Sequence, residues 1–267
     1  MNIWEDKMSY AVIGKAMEVH RELGPGVDER FYHELLGEKL GAAGIEHQSR
    51  PRGSLLYCGR VADVFEPDIV VGTRLVLELK WLWGEFAPEH FVQIKCYLKF
   101  WRIPDALLFD FGKESLISRR YMFTELAAPR LSIDEIMTAA PPGSRDRELA
   151  RRLSHGIGKI NDTYGLGYRD TTYRGLLAAE LLAQDIPCAR EPTATIRTGD
   201  RVLGQTRLRC LSVGDEGAVM VLALRDDIRA ADRAILQSGL RHLGLRWGAI
   251  VNFGKKATQV RWVTTLE

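Results

Sequence analysis

Residues 67–80 read PDIVVGTRLVLELK. The two halves of this stretch, on either side of Gly72-Thr73, have the apolar, β-branched composition of strands. Three charges interrupt them: Asp68, Glu78 and Lys80. Strand interiors exclude charge unless it is paired or used. If 61–71 and 74–82 are adjacent antiparallel strands, Asp68 and Glu78 approach each other across the turn. Side chains alternate along a strand, so Glu78 and Lys80 share one side and Leu79 faces the other. Two converging carboxylates without a partner repel, and one must take up a proton. A divalent cation removes that conflict. Oxygen ligands suit Mg²⁺ or Mn²⁺, which also bind phosphate oxygens. A lysine beside such an ion can orient a water for in-line attack on phosphorus. The plain alternative is a partly buried Glu78–Lys80 ion pair.

The rest of the chain bounds this reading. Its 267 residues, 46% hydrophobic and 27% charged, are those of an ordinary globular protein of one large or two smaller domains. No apolar run approaches a membrane span, and MNIWEDKMSYAV lacks the basic start and apolar core of a secretory signal. Cys58, Cys96, Cys188 and Cys210 lie far apart with no CxxC or Cys/His cluster, which disfavours structural zinc and fits a reducing cytoplasm. The net charge of +2 is uneven. Residues 1–141 are net acidic, whereas 142–267 are net basic and dominated by arginine. That pattern points mildly to phosphate-bearing partners, with a solvated arginine-rich surface as the alternative.

The chain also repeats itself. IGK at 13–15 returns at 157–159; Gly24, Gly26 and Tyr32 return as Gly165, Gly167 and Tyr173; LLFDFGK at 107–113 returns as AIVNFGK at 249–255. A period of about 140 residues is too long for a solenoid and signifies two copies of one domain. The proline- and glycine-containing stretch that starts at Thr138 is the natural linker. The expected domains are 1–137 and 147–267, joined by 138–146. In the first, helices are expected at 7–22 and 28–43, the second burying Phe31, Leu35, Leu36 and Leu40. Strands follow at 53–58, 61–71 and 74–82, then a helix at 88–101 and a buried strand ALLFDF. The second copy is expected to follow suit. The fold class is α/β (α+β), each domain a mixed central sheet flanked by helices.

The same residues resemble the PD-(D/E)XK nuclease superfamily. Pro67-Asp68, nine residues, then Glu78-Leu79-Lys80 match its motif. Gly26-Val27-Asp28-Glu29-Arg30-Phe31-Tyr32 is similar to the GxxExxY signature of a bacterial family assigned to it, and Gln93-Ile94-Lys95-Cys96-Tyr97 to the QxxxY motif of its RecB-like branch. The resemblance covers 10–113 and implies two tandem restriction-endonuclease-like domains. It further implies that Asp68 and Glu78 are metal ligands, that Glu29 reaches the metal directly or through water, and that Lys80 positions the attacking water. Gln93 and Tyr97, an i, i+4 pair, would hold the lysine, the water or a DNA phosphate. Glu29 could otherwise be a plain first-turn carboxylate, Tyr32 and Tyr97 core aromatics, and Gln93 solvated. His20 reads as structural or surface. Trp81, Trp83 and Trp101 read as packing or interface residues before base-stacking ones.

In the second copy, with a short insertion at 215–217, Arg209 falls opposite Asp68, Ala223 opposite Glu78 and Arg225 opposite Lys80. Asp170 stands for Glu29, and Ile235 and Gly239 for Gln93 and Tyr97. No two-carboxylate cage survives, so this copy is expected to be structural, an intramolecular pseudo-dimer partner, or to grip nucleic acid through arginines such as Arg207, Arg209 and Arg225. The expected function is Mg²⁺-dependent (or Mn²⁺-dependent) hydrolysis of nucleic acid, DNA before RNA, without membrane contact. The alternative is an inactive nucleic-acid-binding or scaffold protein with the nuclease fold.

Overall fold

The computed structural model describes residues 3–125, 128–141 and 143–265. It divides into two compact units, Met1–Ser54 with Val64–Thr124, and Leu55–Asp63 with Glu125–Glu267. Among the described residues no helix is long and apolar enough to cross a membrane.

The first unit opens with α1 (Ile3–Leu23) and α2 (Glu29–Ala42). Asp28 caps α2 by accepting from the Arg30 amide at 3.0 Å, which satisfies an orphan donor of the first turn. The buried stripe of α2 is Tyr32, Leu36 and Leu40, an i, i+4, i+8 row. Phe31, expected in the core, is 43% exposed. It lies one position off that row, and the Arg30 guanidinium covers it at 4.7 Å. Beyond α2 come β1 (His47–Ser49), β2 (Gly53–Tyr57), β3 (Arg60–Phe65), β4 (Ile69–Val71) and β5 (Leu75–Lys80). The expected strand 61–71 is thus two strands. Pro67, which has no amide to donate and restricts Glu66 before it, separates them. β2 and β3 form their own antiparallel pair. After α3 (Pro88–Trp101) come β6 (Asp105–Asp110) and β7 (Ile117–Met122).

The main sheet has the order β1-β4-β5-β6-β7, with β5 and β6 parallel and the other pairs antiparallel. β5 lies inside the sheet, so its apolar run is buried from Leu75 to Leu79 and only Lys80 reaches an intermediate exposure. Leu75, Leu77 and Leu79 pack with Leu107, Phe109 and Phe111 beneath Val12, Ala16 and Val19 of α1 and the α2 stripe. Glu78 and Lys80 therefore leave the sheet on its other face.

The second unit contains α4 (Ile133–Thr138), α5 (Ser144–Tyr164), α6 (Asp170–Ala183), β8 (Thr193–Thr198), β9 (Arg201–Arg207), β10 (Leu211–Val213), β11 (Gly217–Ala223), α7 (Ala230–Leu243), β12 (Trp247–Phe253) and β13 (Thr258–Thr264). Its sheet order β10-β11-β12-β13 repeats β4-β5-β6-β7, again with the two central strands parallel. Both units are therefore mixed α/β domains of one design.

The tip of the β2–β3 hairpin, residues 55–63, belongs to the second unit. There the Tyr57 hydroxyl donates to Glu180 at 2.6 Å, and Lys159 pairs with the same carboxylate at 3.0 Å. Asp63 accepts from Arg169 at 2.9 and 3.1 Å and from the Thr172 hydroxyl. Gly175 lies so close to the Ala62 carbonyl that a Cβ there would sit 2.0 Å from its oxygen.

Candidate active site

Asp68 sits between β3 and β4, held from three directions. Its carbonyl oxygen accepts from the Arg50 amide at 2.8 Å and from His33 Nε2 at 2.9 Å, so that nitrogen carries its proton. Its Oδ2 accepts from the Leu79 amide at 2.8 Å, which ties the carboxylate to β5. Glu78 follows on the sheet face opposite the leucines. It is 2% exposed, its Oε1 accepts from Lys80 Nζ at 2.7 Å, and its Oε2 is buried without a hydrogen-bond partner among the described residues. An unsatisfied buried carboxylate oxygen costs about 1–3 kcal/mol or more, which folding alone gives no reason to carry.

The electrostatics follow from this crowding. Burial, then the Asp68 charge, push the Glu78 carboxyl up to about 7 against the pull of Lys80, with Glu29 adding a smaller push. Burial and Asp68 raise Glu29, which Lys80, Arg50 and the Trp81 backbone amide partly offset. Burial lowers the Lys80 ammonium, but Glu78, Glu29 and Asp68 together outweigh it and lift it. Glu29, Asp68, Glu78 and Lys80, dispersed over fifty residues of sequence, thus feel one another's charge. The Glu78–Lys80 ion pair also exists, yet it occupies only one of the two carboxylate oxygens.

These residues fit a hard divalent cation. The donors are carboxylate oxygens, Glu78 presents an oxygen that no group among the described residues satisfies, and Mg²⁺ is commonly held by one or two carboxylates with water and phosphate completing its shell. Among the described residues no three His, Cys, Asp or Glu side chains converge as a ready-made metal cage, although the charges of Asp68 and Glu29 are both felt at Glu78.

Gln93 and Tyr97 lie on α3 and bond each other, Gln93 Nε2 donating to the Tyr97 hydroxyl at 2.8 Å. That hydroxyl donates to the Glu66 carbonyl at 3.0 Å, two residues ahead of Asp68. The pair therefore buttresses the segment that carries Asp68. Tyr32 is a structural lock: its hydroxyl donates to the Gly24 carbonyl at 2.7 Å and accepts from the Val27 amide at 3.3 Å, and its ring stacks on Phe111 at 4.5 Å. His20 is buried, with Nε2 2.8 Å from the Lys113 carbonyl. Trp101 packs against Tyr97 and Phe100. A cavity of about 610 Å³ lined by Met8, Ile45, Gly72 and Leu75 lies at the other end of β5, away from the carboxylates.

Two supporting groups escaped the sequence reading. His33 holds the Asp68 backbone, and its only signal is adjacency to Tyr32 without a histidine in the second copy. Lys113 holds the loop after Lys80: its Nζ donates to the carbonyl oxygens of Leu82, Trp83 and Gly84 at 2.9, 2.9 and 2.6 Å. Asp110 Oδ1 accepts from the Leu82 and Gly112 amides. A Cβ on Gly112 would stand 2.5 Å from the Leu82 oxygen, so the repeated FGK is a clamp on this loop. The second unit reuses it, with Gly254 against the Arg225 carbonyl and Lys255 paired with Asp226 at 2.8 Å.

Strand pairing corrects the register expected for the second copy. Ile69 pairs Leu77 and Leu211 pairs Val219, with turns of equal length after β4 and β10. Lys80 pairs Asp110 as Leu222 pairs Asn252. Cys210, Met220 and Leu222 therefore stand for Asp68, Glu78 and Lys80, in place of Arg209, Ala223 and Arg225. The extra residue lies before β10, not in the 215–217 turn. All three replacements belong to an apolar cluster with Leu236 and Leu240 of α7. Asp170 pairs with Arg174 at 3.4 Å. Of the arginines, Arg225 pairs with Asp232 at 2.8 Å, whereas Arg207 and Arg209 are exposed.

The fold and the carboxylate–lysine cluster together define a nuclease-like domain, present once with the cluster and once without it. The family model of the PD-(D/E)XK nuclease superfamily matches residues 6–121 and again 147–263, and the chain belongs to that superfamily. No curated protein and no solved structure is similar enough to the chain to match it.

Proposed function

We propose that the first unit is a metal-dependent phosphodiesterase that cleaves nucleic acid, DNA before RNA, and that the chain falls in the GxxExxY branch of its superfamily. One observation carries the reading: Glu78 is buried, lifted to about 7, and leaves an oxygen unsatisfied beside Asp68 and Lys80. Asp68 and Glu78 would hold Mg²⁺ or Mn²⁺, with Glu29 as a further carboxylate through water. Bound there, the ion would supply Lewis acidity toward a phosphate oxygen and a lowered pKa for a water. The chain's own residues do the rest. Lys80, kept protonated by three carboxylates, donates to the attacking water or the scissile phosphate and holds it in line. His33 and the Leu79 amide keep Asp68 from turning away, and Gln93 with Tyr97 steady the same segment from α3. The second unit serves structure or grips phosphates through Arg207 and Arg209.

The test is incubation of the full chain with single-stranded, duplex and branched DNA and with RNA, in Mg²⁺ or Mn²⁺. Cleavage that disappears in Lys80→Ala and Asp68→Asn, with binding retained, is the expected result. Equal traces of cleavage in all three proteins mean contamination and leave only a binding protein. In the same binding assays, Arg207→Ala with Arg209→Ala should flatten the salt dependence, and an unchanged slope removes the arginine grip.

A further inference from the structure

The loop after Lys80 carries two indoles that the chemistry above does not use. Trp83 is 87% exposed, and Trp81 meets it edge to face with ring centroids 5.0 Å apart. Trp81 borders a shallow depression with Gly26, Val27, Asp28 and Glu29, and its Nε1 is buried without a partner among the described residues. The loop is no slack tether, because Lys113 holds the carbonyls of Leu82, Trp83 and Gly84. A large aromatic is therefore displayed at a fixed position, three residues beyond Lys80. Exposing an indole forfeits hydrophobic stabilisation. The fold gives that exposure no reason.

The second unit is an internal control. The strand register puts Ala223 at the position of Trp81, and beyond it the Arg225 carbonyl stands against Gly254 as that of Leu82 does against Gly112, so the stretch Leu224 to Asp227 over the same FGK clamp offers no aromatic in the place of Trp83. Arg225 turns its guanidinium to Asp232. The indoles and the carboxylate–lysine cluster are thus missing together from the copy that keeps the strand pair and the FGK glycine contact beneath them. The scaffold does not need the indoles, and the site has lost them along with its charges.

We infer that Trp83, braced by Trp81, is a stacking platform for an unpaired nucleobase next to the phosphate held at Asp68, Glu78 and Lys80. This rests on the phosphodiesterase reading and narrows its substrate class to single-stranded or frayed nucleic acid. An aromatic face stacks any base, whereas bases inside a duplex already stack on each other and must be extruded to present a face. Three residues of chain span at most about 10 Å, the scale of one to two nucleotides, so the platform lies within reach of a base flanking the scissile phosphate.

The experiment uses the full chain carrying Lys80→Ala, which prevents cleavage, in Mg²⁺. Three fluorescein-labelled probes are compared: a short oligothymidylate, an abasic strand of the same length and a blunt duplex closed by a non-nucleotide linker. Adding Trp83→Ala should weaken oligothymidylate binding about 5- to 100-fold, leave the other two probes unchanged, and be largely rescued by Trp83→Phe. Equal loss on all three probes, no loss on any, or a shift in the sedimentation of the protein alone overturns the platform, the last by making Trp83 a protein interface. The two readings fail separately. If the chain with Lys80 intact cleaves single strands equally well with and without Trp83, the platform falls and the phosphodiesterase stands. If it cleaves nothing yet binds oligothymidylate through Trp83, the reverse holds.

Discussion

Glu78→Gln should change how the stability of the first unit depends on pH. Burial and Asp68 lift the carboxyl from 4.5 to about 7, so its ionised form is disfavoured in the folded chain by on the order of 3 kcal/mol. The folded state binds the extra proton between those two values, and stability is therefore complete below about 4.5 and lost as pH rises through 7. Glutamine mimics the neutral carboxyl. With metal chelated, wild type and variant should match below pH 4.5 and differ only about fourfold at pH 5. At pH 8 the wild-type strand should have lost about a hundredfold of its protection relative to the variant. Hydrogen exchange of β5 peptides reads this locally, and β11 supplies the reference, since Met220 stands where Glu78 does. Mg²⁺ at pH 8 should restore β5 protection in wild type and leave Glu78→Gln unmoved, because the ion takes over the charge that burial opposes. A β5 difference that is the same at pH 5 and pH 8 would refute the reasoning. So would Mg²⁺ protection that survives the substitution.

Tyr32→Phe and Tyr173→Phe should each cost about 1–3 kcal/mol of their own unit's stability. Both hydroxyls donate at 2.7 Å to the carbonyl of a glycine eight residues back, and thermal unfolding of either variant showing no loss would contradict a structural role. Gly112→Ala should shift the loop that carries Trp81 and Trp83, because the new Cβ meets the Leu82 carbonyl at 2.5 Å. Reduced tryptophan fluorescence anisotropy and a destabilisation of about 1–3 kcal/mol are expected. Unchanged values on both counts would show that the clamp is not needed.

The duplication made much of this legible in advance. Residues that repeat, such as Gly24 and Gly165, Tyr32 and Tyr173, and the two FGK runs, prove to be locks of helix turns and loops. Residues that do not repeat, Asp68, Glu78 and Lys80, form the charged cluster. The GxxExxY stretch mixes the two kinds: Tyr32 is a lock common to both copies, while Glu29 faces the cluster in one and its counterpart Asp170 is tied to Arg174 in the other. The misreadings have physical causes. Phe31 is apolar but lies one position off the buried row, where a neighbouring guanidinium covers it. β7, ISRRYM, is a half-exposed edge strand without an apolar run to announce it. The register of the second copy slipped because apolar strands fit one another at several offsets, and only backbone pairing decides among them. The unsatisfied oxygen of Glu78 is a tertiary fact that no local pattern encodes.

The hairpin tip at 55–63 sets a timetable for synthesis. Tyr57 and its acceptor Glu180 are 123 residues apart in the chain. At about 5–20 residues per second, the tip waits roughly 6–25 s on the ribosome before that acceptor emerges. For that interval Tyr57 and Asp63 lack the groups that receive them in the finished protein, however early the neighbouring strands have paired. The same arrangement bears on inheritance. A recombination event that carried off the first repeat alone would take a hairpin tip without the Glu180 and Arg169 that receive it.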